Sequence, residues 1–215
     1  MHKEELKEHA TQLKVPYAVH FTRAENLESI IAHGIYPISR IDELGIPAQV
    51  NDELRLDGRR NGISISVAFP NCKMLYKYRM ENQGSEWVIL ILQPSILWTK
   101  DCAFCKHNAA DARISNLPLA SLNTVSAFQA MFEEIEGHVS RTEQNLKSFD
   151  PTDVQAEVLL FDPIEPALIE CVVFDSTATK TKYVGVVGGR KTWVDANNKR
   201  LFASRNYVRK YQVTW

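Results

Sequence analysis

The chain has 215 residues, 45% hydrophobic and 24% charged, with 25 basic against 26 acidic side chains and a formal net charge of −1. These values exclude collagen-like, low-complexity and strongly charged disordered classes and predict a globular chain with a real core. The longest plain apolar run, Trp87–Leu92, is six residues, too short to span a bilayer, and the charged N-terminus is not signal-like, so a cytoplasmic protein without membrane association is expected.

Residues 2–14 are charged and helix-prone and end before Pro16. Residues 17–22 read as a strand and 24–33 as an amphipathic helix with Leu27, Ile30 and Ile31 on one face. Thr22 and Glu25 have capping-box spacing, and Gly34 suits the position just past a helix end. Residues 36–61 predict a long loop with a short helix. Gly62–Val67 alternates at period two, as a half-buried strand does. Pro70 suits the first turn of a helix to about Asn82, with Met74, Leu75 and Tyr78 inward. Residues 86–92 predict a buried central strand. Residues 101–117 look irregular. Residues 121–136 predict a second strong helix, with Phe128, Met131, Phe132 and Ile135 in register. A polar stretch, 137–153, reads as a mobile loop. Strands are expected at 154–161, 168–174 and 183–187, with a hairpin turn at Gly188-Gly189. The interleaving lacks regular βαβ spacing, so the expected class is α+β, one domain over 1–215.

Charge is distributed unevenly. Lys180–Trp215 carries nine basic residues and one acidic residue, for +8, which leaves −9 on the remainder. Such a segment is a candidate phosphate-binding face. The competing reading is that its charges cancel against the acidic remainder across the fold.

Cys102-Ala-Phe-Cys105 with His107 has the look of half a zinc site. Cys72 and Cys171 stand alone, so a four-ligand structural site is not assembled and no metal is expected. Val184–Gly189 is Gly-rich but lacks the lysine-hydroxyl pair of a phosphate loop. The sharpest signal is "DPTDVQAEVLLF" over Asp150–Phe161. On an extended chain Gln155 and Glu157, two apart, point to one face. The plain alternative is a solvent-facing strand edge with two ordinary polar residues.

A Gln-x-Glu at a strand entrance behind a polar loop resembles the catalytic motif of ADP-ribosyltransferases. With "VHFTRAENLESIIAHGI" and "RLDGRRNGISISVAFPNCKMLYKYR" placed before "DVQAEVLLF", three ordered blocks over roughly residues 17 to 175 resemble the DarT family of DNA ADP-ribosyltransferase toxins. "SVAFPNCKMLYKYR" is similar to its guanine-directed branch. The resemblance implies one ADP-ribosyltransferase-like domain, with a central mixed β-sheet flanked by helices. The implied co-substrate is NAD. The implied partners are single-stranded DNA and a cognate antitoxin that removes ADP-ribose.

The resemblance also implies roles for residues. His20, Phe21, Thr22 and Asn26 would hold NAD, and the following helix N-terminus would face its pyrophosphate. Glu157 would be catalytic, with Gln155 hydrogen-bonding the incoming base. The family's loop arginine falls among Arg55, Arg59 and Arg60, with Arg55 the best match. Met74, Tyr76 and Arg79 would read or stack on the base. The alternative functions are the same transfer onto RNA or protein, and a silent nucleic-acid-binding module. The intact Gln-x-Glu argues against the latter, and the basic tail favours nucleic acid over protein.

Overall fold

The computed structural model describes residues 3–45 and 58–211. Arg55, in the expected catalytic set, lies outside the described residues. Seven strands, β1 (Ala18–Arg23), β2 (Ile63–Val67), β3 (Trp87–Leu92), β4 (Cys102–Cys105), β5 (Glu157–Leu160), β6 (Ile169–Phe174) and β7 (Lys191–Val194), form one sheet in the order β4-β5-β2-β1-β3-β6-β7. All neighbours pair antiparallel except β6 and β7, which are parallel. The fold is therefore α+β around a mixed sheet. Helices α1 (Lys3–Gln12), α2 (Leu27–His33), α3 (Ile38–Leu44), α4 (Cys72–Glu81), α5 (Ile96–Thr99), α6 (Ala112–Ser115), α7 (Leu119–Leu122), α8 (Val125–Ala130), α9 (Thr177–Tyr183) and α10 (Arg205–Lys210) flank it. None is long and apolar enough to cross a membrane.

Both sheet faces are covered, which is why β3 reads as one apolar run rather than an alternation. One face packs Ala18, Ile63, Ile65, Val88, Leu90, Leu92, Val158, Leu160 and Phe104. The other packs Val19, Ile89, Ile91 and Val173 against Leu75 and Tyr78 of α4. Ala103, Cys105 and Leu159 continue that second face beneath Ile114 and Leu122.

Several expectations are corrected. The stretch 101–117 contains β4, whose four residues are too few to show a period. Cys102 and Cys105 are three apart on it and pack on opposite faces, so they cannot chelate one ion. Burial also raises the Cys102 thiol far above its ordinary pKa. The helix expected over 121–136 is broken into α7 and α8. Thr124 enters extended and accepts from the Ala127 N–H to cap α8. The helix does not continue through Glu133, Glu134 and Glu136, whose charges oppose the negative end of a helix. The strand expected at 183–187 is instead the end of α9 and a 3₁₀ turn, Val184–Val186. Gly188 and Gly189 have φ of 62° and 75° and lead into β7 by a crossover, not a hairpin.

The polar stretch 137–153 is not loose. Arg141 donates to the carbonyls of Lys147, Ser148 and Asp150 and to Thr152 Oγ1. The Thr152 N–H bonds the Met131 carbonyl (2.8 Å), fixing the loop's exit to the end of α8.

Thr22 does not cap α2. The chain passes through a 3₁₀ turn, Ala24–Asn26, and Thr22 Oγ1 instead accepts from Asn26 Nδ2 at 2.8 Å. Gly34 closes α2 with φ 97°, donating to the Ile30 carbonyl (2.8 Å). A Cβ there would stand 2.4 Å from the Ile164 carbonyl oxygen. Gly34→Ala combines a disfavoured φ with that collision, so a loss of about 1–3 kcal/mol is expected. Thermal melting followed by circular dichroism measures it, and an unchanged midpoint contradicts the close approach.

Candidate active site

The sheet splits between β1 and β2. Their ladder has two pairs, Ala18↔Val67 and Val19↔Ser66. Beyond it, residues 20–23 pair with β3 alone and 63–65 with β5 alone. His20 stands where the ladder stops, and its Nδ1 donates to the Ser64 carbonyl (2.9 Å). Burial holds its pKa below the usual 6.5, so the ring is neutral at pH 7. With Nδ1 protonated, Nε2 is left as an acceptor.

Strand alternation sorts the expected grip on the cofactor. His20 and Thr22 lie on the sheet face of Ala18, and Thr22 is buried with Asn26 beside it. Phe21 points to the other face, in a packing cluster with Tyr78 (6.3 Å) and Trp87 (6.4 Å). Phe21 is thus a packing residue, and the three do not form one surface. The helix expected to face the pyrophosphate begins only after a 3₁₀ turn, Ala24–Asn26. That helix is seven residues long, and the Ala24 N–H before it is already bonded to the Glu86 carbonyl (2.8 Å).

On the second face, β5 opens at Glu157, opposite Cys105. Glu157 is 4% exposed, not the solvent-facing side chain its place at a strand mouth suggests. Asn108 Nδ2 donates to its Oε1 at 2.7 Å. Gln155 is not on the strand. It sits in the preceding turn, where Asp153 Oδ1 accepts its N–H (2.9 Å). The Gln-x-Glu pair is therefore one turn residue and one strand residue. Asp153 Oδ2 in turn accepts from His107 Nδ1 (2.8 Å), and His138 Nε2 approaches it at 3.8 Å. His107, His138 and Asp153 have ligand atoms within 4.8 Å of one another. Each Asp153 oxygen accepts one protein N–H, Oδ2 from His107 and Oδ1 from Gln155.

Helix α4 faces this site with its first turn. Asn71 caps it, its Oδ1 accepting from the Met74 N–H (3.1 Å) and its own N–H reaching Ser66 Oγ (3.2 Å). Asn71 Nδ2 is buried without a hydrogen-bond partner among the described residues. Lys73 Nζ lies 3.5 Å from Gln155 Oε1. Met74 is half-buried and inward, Tyr76 is 63% exposed, and the Arg79 guanidinium covers the Phe202 ring at 5.2 Å. Met74 packs on the cluster that holds Phe202, the ring Arg79 covers, while Tyr76 faces solvent. Of the loop arginines, Arg59 donates to the Leu117 carbonyl (3.0 Å).

Sequence reasoning missed Asn108, Asn71, Asp153, His107 and Lys73 as parts of the site. Two carried a local signal: His107, which the sequence set beside Cys102 and Cys105 as half a zinc site, and Asp153, since Asp two residues before a turn N–H is a recurrent turn former.

A scan of protein-family models matches residues 19–202 to DarT, described as ssDNA thymidine ADP-ribosyltransferase. No curated protein matches the sequence. Among solved structures the chain is similar to Thermosipho africanus DarTG in complex with ADP-ribose, with a TM-score of 0.59 and 13% identity, covering 86% of this chain and 50% of that one. The chain thus spans half the length of that relative. It is similar to Thermus sp. 2.9 DarT in complex with ADP-ribosylated ssDNA, with a TM-score of 0.58 and 14% identity, covering 86% of this chain and 96% of that one. The same Thermus protein in complex with NAD+ matches with a TM-score of 0.56 and 15% identity, covering 86% and 97%. At these identities the likeness is one of fold.

Proposed function

Because this chain belongs to the DarT family of ssDNA ADP-ribosyltransferases, we propose that it transfers ADP-ribose from NAD to a base of single-stranded DNA, with Glu157 as its catalytic carboxylate. The observation that carries this is Glu157 itself, a buried carboxylate at the first residue of β5, held by an amide and flanked by the Gln155 turn. The complexes of the Thermus protein with NAD+ and with ADP-ribosylated ssDNA support the choice of both substrates.

Loss of nicotinamide from NAD develops positive charge at the ribose anomeric carbon. A fixed carboxylate is the right group to face that charge, because it needs no reorganisation during the reaction. Glu157 stabilises the cation and anchors a ribose hydroxyl. Gln155 presents an amide, which can both donate to and accept from an uncharged base. His20 Nε2 accepts a hydroxyl or amide proton at the gap between β1 and β2. Thr22 lies on the same sheet face as His20 and is backed by Asn26. Asn71 Nδ2, a buried donor in need of an acceptor, suits a polar ligand on the face of Glu157. Arg55 remains the loop arginine assigned to the acceptor or the NAD phosphates.

For the base we favour guanine, on the wording of residues 66–79, against the family description's thymidine. We place the activity in a toxin–antitoxin pair, cytoplasmic, with a partner that removes the adduct, and take the whole chain as one domain. Transfer onto RNA or protein is the competing acceptor class. Incubation with NAD and short single-stranded oligonucleotides, each offering one base, tests the reading by mass. Gain of one ADP-ribose on the guanine oligonucleotide is expected. Gain on thymine alone overturns the base, and no gain on any DNA overturns the acceptor. Expression without the partner is expected to arrest bacterial growth, with adducts on genomic DNA.

A further inference from the structure

The structure assigns to Asn108 a role in the proposed reaction: it is a positioning residue that orients Oε1 of the Glu157 carboxylate. This rests on the reading of Glu157 as catalytic. Asn108 lies in the loop after β4, half-buried, between the buried His107 and Ala109. An asparagine amide has two ends that can exchange by a flip. Here the flip is forbidden, because Oδ1 accepts the Ala110 N–H at 2.9 Å. Nδ2 must therefore be the end aimed at Glu157 Oε1, 2.7 Å away. A flipped amide would lose the Ala110 bond and set an oxygen against a carboxylate.

The neighbouring residue makes the arrangement rigid. His107 donates to Asp153 Oδ2, while Asp153 Oδ1 holds the Gln155 N–H. Consecutive residues of one loop thus grip both ends of the segment 153–157. The β4–β5 ladder sets the baseline, with Cys105 opposite Glu157. An Asn rather than an Asp or Glu at this place has a chemical consequence. A neutral donor orients the carboxylate and favours its ionised form. A second carboxylate would push one proton back onto the pair.

Three variants test the assignment: Asn108→Ala, Asn108→Asp and Glu157→Gln. Each is assayed for transfer to an oligonucleotide over pH 5–9, for KM of NAD, and for thermal melting. Asn108→Ala is expected to lower kcat by about 10- to 100-fold, the cost of a reacting group misplaced by an ångström, with KM for NAD little changed. Asn108→Asp is expected to move the acid limb of the pH–rate profile upward by about one unit or more, because two adjacent carboxylates resist joint ionisation. A merely structural role would lower melting without moving that limb. Wild-type kcat in Asn108→Ala, or a wild-type acid limb in folded Asn108→Asp, overturns the inference while Glu157→Gln is inactive. Full transfer by Glu157→Gln overturns the reading of Glu157, and the inference falls with it.

Discussion

Glu157→Gln is expected to reduce ADP-ribose transfer by on the order of 10²–10³-fold, the scale of removing one preorganised electrostatic group. Thermal melting should move little. The side chain is 4% exposed, and glutamine fills the same volume. Its Oε1 can go on accepting from Asn108 Nδ2. Glu157→Ala is a poorer test. It opens a cavity and leaves Asn108 with an unmet donor, a cost of about 1–3 kcal/mol. Loss of activity in that variant would mix chemistry with folding. Mass gain of an oligonucleotide with NAD, alongside circular dichroism melting, separates the two. Transfer by Glu157→Gln at near the wild-type rate removes Glu157 from the chemistry.

The sheet's centre was legible because its periods are strong. β3 is a plain apolar run and β2 alternates. β4 was hidden by its length of four residues. Its partner segment is a turn away from Gln155, so the extended spacing assumed for Gln155 and Glu157 was wrong at the first residue only. What fixes Glu157 was illegible for a different reason. Asn108 lies 49 residues away in sequence, and nothing about a lone Asn after "CAFCKH" marks it as a donor to a distant carboxylate. Depth was misjudged in the same way. A Glu beginning a strand reads as exposed unless the loops around it are known, and here the loop after β4 brings Asn108 onto it.

The basic tail shows how far composition carries. Its charge is plain in the sequence, but Arg190 donates to the carbonyls of Pro166, Ile169 and Val187. Lys182 pairs with Glu86 at 2.6 Å. Charge counts cannot tell an arginine that meets phosphate from one that satisfies backbone carbonyls. The distinction depends on which groups the fold brings to each side chain, and for Arg190 two of the three carbonyls come from residues 21 and 24 positions upstream.

Arg205→Gln, Arg209→Gln and Lys210→Gln are expected to behave differently from one another, because the structure divides them. Asp150 is fully buried, and Arg209 Nε and Nη2 donate to its two oxygens at 2.6 Å each. Arg205 is 2% exposed and donates to the carbonyls of Pro151 (2.6 Å) and Thr152 (3.1 Å). Burial pushes its guanidinium down to about 10, so it stays charged at pH 7. Both arginines therefore staple α10 onto residues 150–152, the segment that leads into the Gln155 turn. A direct phosphate contact by these two, as the charge pattern suggested, is not what their side chains are placed to make. Removing Arg209 leaves the buried Asp150 carboxylate without its ion-pair partner, holding only the Lys147 N–H (2.8 Å), and breaking a buried pair in this way costs about 3–5 kcal/mol. For a chain of this size each kcal/mol is worth about 2–4 °C, so the midpoint should fall by roughly 6–20 °C. Lys210 is exposed, and its substitution should leave melting unchanged. The decisive comparison is Asp150→Leu combined with Arg209→Met. Replacing both partners by apolar groups should recover much of the loss, since an isolated buried charge costs more than an absent pair. If Arg209→Gln melts with the wild type while the salt slope of oligonucleotide binding flattens, Arg209 belongs to the DNA path after all. If melting falls and the slope of the folded fraction holds, the arginine acts on DNA only through the turn that it supports.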